Sequence, residues 1–222
     1  MMNISENNNF IYLTLSLLLL LLGASLVDQF TVKHGQQLVQ AFTVITLISG
    51  TMRFRNSKLS FRIGSGVVVV VVAVSLLGIL LDESGLYNLH LVILIVFYIW
   101  VTWLVIGQVL FSGPVDSNKI VGAICVYLLL GLIWALCYLL IAQLVPGAYN
   151  GLEQVPWHEN FSAVAYYSYV TLTTLGYGDI SPVVPIARFF VYMEAITGVL
   201  YMAILVASLV GIRLSDIRMG NK

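Results

Sequence analysis

The sequence predicts an all-α transmembrane subunit, and three observations carry that prediction. Of its 222 residues, 60% are hydrophobic and only 9% charged. Mean hydropathy is +0.99. The apolar residues also gather into stretches long enough to cross a bilayer. A soluble domain is about half apolar and a quarter charged, so a water-soluble enzyme is excluded. Ten basic residues balance ten acidic ones, which gives no reason to expect nucleic acid as a partner. Cys125 and Cys137 lie in one apolar run, where the intervening helix separates them by roughly 18 Å, too far to bridge. No cluster of His, Cys and carboxylate lies at ligand spacing, and no nucleophile–base pair is evident, so the chain is not expected to be an enzyme.

A crossing helix needs about 20 mostly apolar residues. Six stretches are candidates: residues 10–27, 38–52, 63–81, 86–111, 120–145 and 183–212. The first is built around a leucine run. It is read as a retained span and not a cleaved leader, because the residues before it hold Glu6 and no Lys or Arg. The second is short and contains Thr43, Thr46 and Ser49. The third holds a run of valines that would suggest a strand in water, but flanks of similar hydropathy favour a span. The basic residues orient the set. Arg53, Arg55, Lys58, Arg62, Lys119, Arg213, Arg218 and Lys222 fall on one side if both termini are cytoplasmic, and only Lys33 and Arg188 fall on the other. That is the positive-inside pattern expected of a multi-pass protein of the cell membrane.

Between the fifth and sixth spans, residues 146–159 are polar and turn-rich, and residues 161–175 are apolar and aromatic again. The latter stretch is too short to cross and leads into Gly176-Tyr177-Gly178-Asp179. A short apolar helix followed by glycine-rich backbone predicts a re-entrant segment. Such backbone is tolerated at membrane depth only where it lines a water-filled path or is buried in protein.

The stretch Thr171-Leu172-Thr173-Thr174-Leu175-Gly176-Tyr177-Gly178-Asp179 resembles the selectivity-filter signature of potassium channels, with Leu175 where Val is usual. The resemblance covers about residues 120–212 and implies an outer helix, a pore helix, a filter and an inner helix. The subunit would then have six spans, with residues 1–112 forming four helices and residues 113–222 a pore domain. By the same resemblance, the carbonyls of Thr174, Leu175, Gly176 and Tyr177, with the Thr174 hydroxyl, hold the permeant K+. The side chains of Leu175 and Tyr177 would point away from the ion path and pack against the pore helix. Carbonyls can replace an ion's water shell without a net charge that would trap it, and Gly176 and Gly178 tolerate the unusual dihedrals this needs. One chain supplies one filter strand, and ring filters of this kind are built from four such loops, so a homotetramer is implied.

Around the filter the residues divide into supports and gate candidates. Gly178, Asp179, Tyr166 and Thr171 are read as supports, with Tyr166 bonding Asp179 in related channels. Tyr166, Tyr167 and Tyr169 either brace the filter or anchor at the membrane interface. Asn160 is placed to cap the short helix. Val170 stands where some bacterial relatives carry a carboxylate coupled to the aspartate, so that coupling is absent. Gly198 matches the hinge glycine of inner helices, and close helix packing is the alternative. Val199, Met202 and Val206 would face the cavity by the same alignment. Glu194 is a carboxylate in mid-span, which is expensive there. It is read either as hydrogen-bonded to nearby hydroxyls or as a support behind the filter that makes conduction pH-sensitive.

Four spans before a pore domain is the layout of voltage-gated channels, but residues 86–111 contain no Lys or Arg, only His90 near the outer end. Moving charge through the field is what couples voltage to opening, so strong voltage gating is not expected. The short stretch after the last span leaves no room for a cytoplasmic ligand-binding domain, and membrane lipid is the expected surrounding. The alternatives are a potassium-uptake transporter subunit and a non-conducting modulatory subunit. The single, near-complete signature argues against both.

Overall fold

The computed structural model describes residues 9–30, 35–52, 57–81, 84–111 and 117–220. Among these described residues seven helices follow in order: α1 (Asn9–Phe30), α2 (Gly35–Met52), α3 (Lys58–Leu81), α4 (Ser84–Phe111), α5 (Ser117–Leu144), α6 (Trp157–Leu172) and α7 (Pro185–Gly220). Five of them, α1, α3, α4, α5 and α7, are long and apolar enough to cross a membrane. The second expected span is shorter, with its apolar part at Gln37–Met52. At the usual rise, α2 extends about 27 Å, just under the roughly 30 Å hydrocarbon thickness.

Three helices carry the core on matching seams. Buried positions on those seams include Phe10, Leu13, Leu17, Leu20 and Ala24 on α1; Leu91, Leu94, Tyr98, Val101 and Val105 on α4; and Cys125, Leu129, Leu132, Leu136 and Leu139 on α5. Steps alternating between three and four residues keep each seam on one face, the spacing that suits near-parallel packing of helices. α5 is the hub, packed against α1, α4, α6 and α7. α6 lies against α5 and α7 and is also reached by α1 and α2. The first two helices therefore touch the short helix directly.

Two features differ from the expectations. The short helix starts at Trp157, with Pro156 at its N-cap position, four residues before the predicted start. Asn160 is consequently inside the first turn and caps nothing; its Nδ2 donates to the Glu153 carbonyl at 2.8 Å. Proline suits a helix start because the N–H it lacks would have no intrahelical partner there. Second, His90, whose place near the outer end suggested an interfacial side chain, is turned inward. It is buried and stacks on Trp157 with ring centroids 5.3 Å apart, which ties α4 to the start of α6.

Two short strands close the outer connection. β1 (Tyr149–Asn150) pairs antiparallel with β2 (Ser181–Pro182), and Val183 N donates to Ala148 O at 2.8 Å. The chain entering α6 is thereby clasped to the chain leaving the glycine-rich segment. Gly151 sits so close to this exit that a Cβ would lie 2.2 Å from the Asp179 carbonyl oxygen.

Candidate functional site: the segment after α6 and the helices behind it

α6 ends at Leu172, and the chain then turns sharply. Thr173 N donates to Tyr169 O and Thr174 N to Thr171 O at 3.0 and 2.9 Å, while Leu175 N and Gly176 N both reach Val170 O at 2.9 and 3.3 Å. The orphan carbonyls of the helix end are thus taken up by the first amides of the segment. Beyond the turn the backbone alternates. Thr174 has φ 61°, Gly176 57° and Gly178 82°, while Leu175 and Tyr177 keep negative φ. Thr174 is the only non-glycine residue with positive φ among the described residues. For a β-branched side chain that is an outlier, and strain of this kind clusters at functional sites. In an ordinary strand, carbonyls alternate between the two sides. Left-handed dihedrals at every second residue instead turn successive peptide groups toward a common side, the way nests of aligned backbone groups form.

The side chains of the segment are open. Leu175 is 57% exposed and Tyr177 68% exposed. The Tyr177 ring meets its own short helix, where it stacks on Tyr166 with centroids 6.5 Å apart and planes 9° from parallel. The resemblance implied that Leu175 would also pack there. Within one chain the Leu175 side chain is instead left more than half exposed. The Tyr166 hydroxyl interacts with the Asp179 carboxylate. Thr171 is buried and supplies the carbonyl that receives Thr174 N.

The three tyrosines expected to act as one cluster diverge. Tyr166 faces the segment. Tyr167 packs with Tyr138 and Tyr149 at 5.4 and 6.0 Å between ring centroids. Tyr169 crosses to α5, where its hydroxyl donates to Leu128 O at 2.7 Å. Helical rotation of 100° per residue explains the spread.

Behind the last turns of α6 lies a buried polar junction of three helices. Glu194 of α7 is fully buried. Tyr138 of α5 donates from its hydroxyl to Glu194 Oε2. Ser168 Oγ of α6 lies 2.5 Å from Glu194 Oε1 and donates to Gly131 O of α5 at 2.7 Å. The first sequence reading of Glu194, a carboxyl bonded to hydroxyls, matches this geometry. The hydroxyls themselves were missed, since Tyr138 precedes Glu194 by 56 positions and Ser168 by 26. A second cross-link joins α7 to α5, where the Tyr201 hydroxyl donates to Ala123 O at 2.5 Å.

On α7 the buried line runs through Ala187, Glu194 and Gly198. Val199 and Met202 are 54% and 49% exposed. Val206 falls one turn further along the same helix, and its side chain lies outside the described residues. No group of three or more His, Cys, Asp or Glu could hold a metal ion among the described residues.

Comparison with known proteins falls on the same stretch. A family described as "Ion channel" matches residues 122–213, which span most of α5, the short helix, the segment after it and most of α7. The inward rectifier potassium channel Kirbac3.1 of Paramagnetospirillum magnetotacticum is 32% identical over 93 residues, 42% of this chain and 28% of that protein. The match therefore takes in under a third of that channel's length. No solved structure matches. Both matches are likenesses to ion channels over the same stretch, and the five helices apolar and long enough to cross a membrane suit a multi-pass membrane protein.

Proposed function

We propose that this chain is one subunit of a homotetrameric, potassium-selective channel that conducts K+ passively. The observation that carries the reading is the alternation of left-handed backbone at Thr174, Gly176 and Gly178 directly after a short helix. A hydrated cation must exchange its water for other oxygens to pass a membrane, and rows of backbone carbonyls do this without a trapping charge. In this reading the carbonyls of Thr174, Leu175, Gly176 and Tyr177, with the Thr174 hydroxyl, are the K+ sites. Gly178, Asp179, Tyr166 and Thr171 hold the strand, and α6 is the re-entrant pore helix. The exposed side chains of Leu175 and Tyr177 find their cover on neighbouring copies, as a four-loop ring requires. The potassium named for the bacterial inward rectifier supports the choice of ion.

The six helices α1–α5 and α7 all cross, α2 with thinning or tilt to match the bilayer, and both termini face the cytoplasm of a cell-membrane protein. α4 carries no Lys or Arg, so a conductance–voltage curve is shallow.

Liposomes containing only this protein test the proposal. Barium-sensitive potassium flux with little sodium flux is expected. Gly178→Ala, which forces a Cβ onto left-handed backbone, is expected to lower that flux at least ~100-fold, since the carbonyl row is what replaces water. Equal potassium and sodium flux would overturn the selective filter, and no flux from a folded tetramer would favour the modulatory subunit.

A further inference from the structure

Gly198 occupies the hinge position of the inner helix in the potassium-channel resemblance, yet α7 runs unbroken from Pro185 to Gly220 through it. What distinguishes Gly198 is contact. A Cβ there would lie 2.0 Å from the Leu172 carbonyl oxygen and 3.0 Å from its carbon. Both atoms are backbone, so no side-chain rotation relieves the clash, and one of the two helices must move. Leu172 is the last residue of α6, and the segment with alternating φ starts two residues later. On its other side the same carbonyl meets the Tyr127 hydroxyl of α5 at 3.4 Å. One turn earlier on each helix, Glu194 of α7 meets Ser168 of α6. Two contacts a turn apart on both helices fix their relative height and rotation, because residues four apart share one helical face.

We infer that Gly198 is a seat for the end of α6 and not a bending point, and that with Glu194 it positions the Thr174–Asp179 segment from behind. The seat lets α7 approach until the Leu172 carbonyl touches its backbone, as small residues do between membrane helices. Any displacement of α7 at this height is then delivered to the segment through Leu172. The inference rests on the channel reading for its consequence but not for its geometry, so its test has one readout that needs no conduction.

Gly198→Ala is compared with wild type, and with the double variant Thr197→Gly/Gly198→Ala, in the full-length protein in lipid. Hydrogen exchange is followed on the peptide covering residues 170–176, whose Leu175 and Gly176 amides bond Val170 O. A seat predicts exchange at least ~10-fold faster in Gly198→Ala, local opening being the event exchange reports. It also predicts a lower potassium-to-sodium flux ratio, with neither effect reversed by Thr197→Gly. A hinge predicts unchanged protection and an unchanged ratio, with any lost flux recovered by the neighbouring glycine; that result would overturn the inference. If wild type itself shows no selective flux, the channel reading fails while the exchange data still decide the seat. Should Gly198→Ala not assemble, Tyr127→Phe loosens the same carbonyl without adding a clash. Faster exchange at Leu175 and Gly176 in that variant supports the seat, and wild-type protection rejects it.

Discussion

In α1 and α2 the hydroxyls of Thr14, Ser16, Thr43 and Thr51 bond carbonyls of their own helices. In α5–α7 those of Ser168, Tyr138, Tyr169 and Tyr201 cross to a neighbouring helix. The difference separates two jobs. A hydroxyl that bonds its own helix satisfies itself and says nothing about where the next helix lies. One that crosses sets a height and a rotation, and inside a membrane a lost partner leaves a polar group with no water to replace it. The front half is consequently held by its apolar seams, apart from cross-links such as Thr46–Tyr98 and Tyr87–Gly78. The rear half is held by named atoms around the end of α6, where position matters most.

That contrast can be broken at several points. The largest effect is expected at the three-helix junction. Glu194→Leu leaves the Tyr138 hydroxyl buried without its acceptor and removes the carboxyl partner of Ser168 Oγ, which keeps Gly131 O, at about 1–3 kcal/mol for a buried group left unpaired. A large fall in the thermal stability of the assembly is expected, together with loss of selective flux. Glu194→Gln keeps the shape and a hydrogen-bonding end, at about 1 kcal/mol. Equal losses in the two variants would mean that packing volume, not hydrogen bonding, holds the junction.

A matched pair of glycine substitutions comes next. At Gly131 of α5 a Cβ would lie 2.2 Å from the Tyr169 ring, and at Gly23 of α1 it would lie 2.3 Å from the Phe42 ring. Each alanine variant is expected to lose about 1–3 kcal/mol by overpacking. Only Gly131→Ala should also lower the potassium-to-sodium ratio, because it pushes Tyr169 away from Leu128. Selectivity changes of the same size in both variants would erase the division between the halves.

Smallest is Thr46→Val, which removes the bond to the Tyr98 hydroxyl. A loss of about 1 kcal/mol in thermal stability is expected, with flux and selectivity unchanged. Altered selectivity here would show that the front helices act on the proposed filter directly, through the contacts of α1, α2 and His90 with α6.

How much of this was legible beforehand varies residue by residue. The turn into alternating backbone at Gly176 and Gly178 was readable because it is a local property of consecutive residue types. Thr174 joined it only in three dimensions, since nothing about a threonine announces positive φ. The start of α6 was misjudged because Trp157, His158 and Glu159 read as the tail of a polar loop. Trp157 is in fact buried against His90 of α4. The pairing of Tyr149–Asn150 with Ser181–Pro182 left no trace at all, because two-residue strands are too short to show alternation.

Composition and local pattern by themselves determined that the chain is a bundle of membrane helices, and where the short helix and its glycine-rich continuation fall. Those are properties of windows of neighbouring residues, which hydropathy and backbone preference report directly. The tertiary structure alone decided what Glu194 bonds, which way each of the three tyrosines points, and that Gly198 lies against the Leu172 carbonyl. Each depends on the rotation and height of one helix against another, and partners that meet across tens of residues leave no periodic signal in the chain.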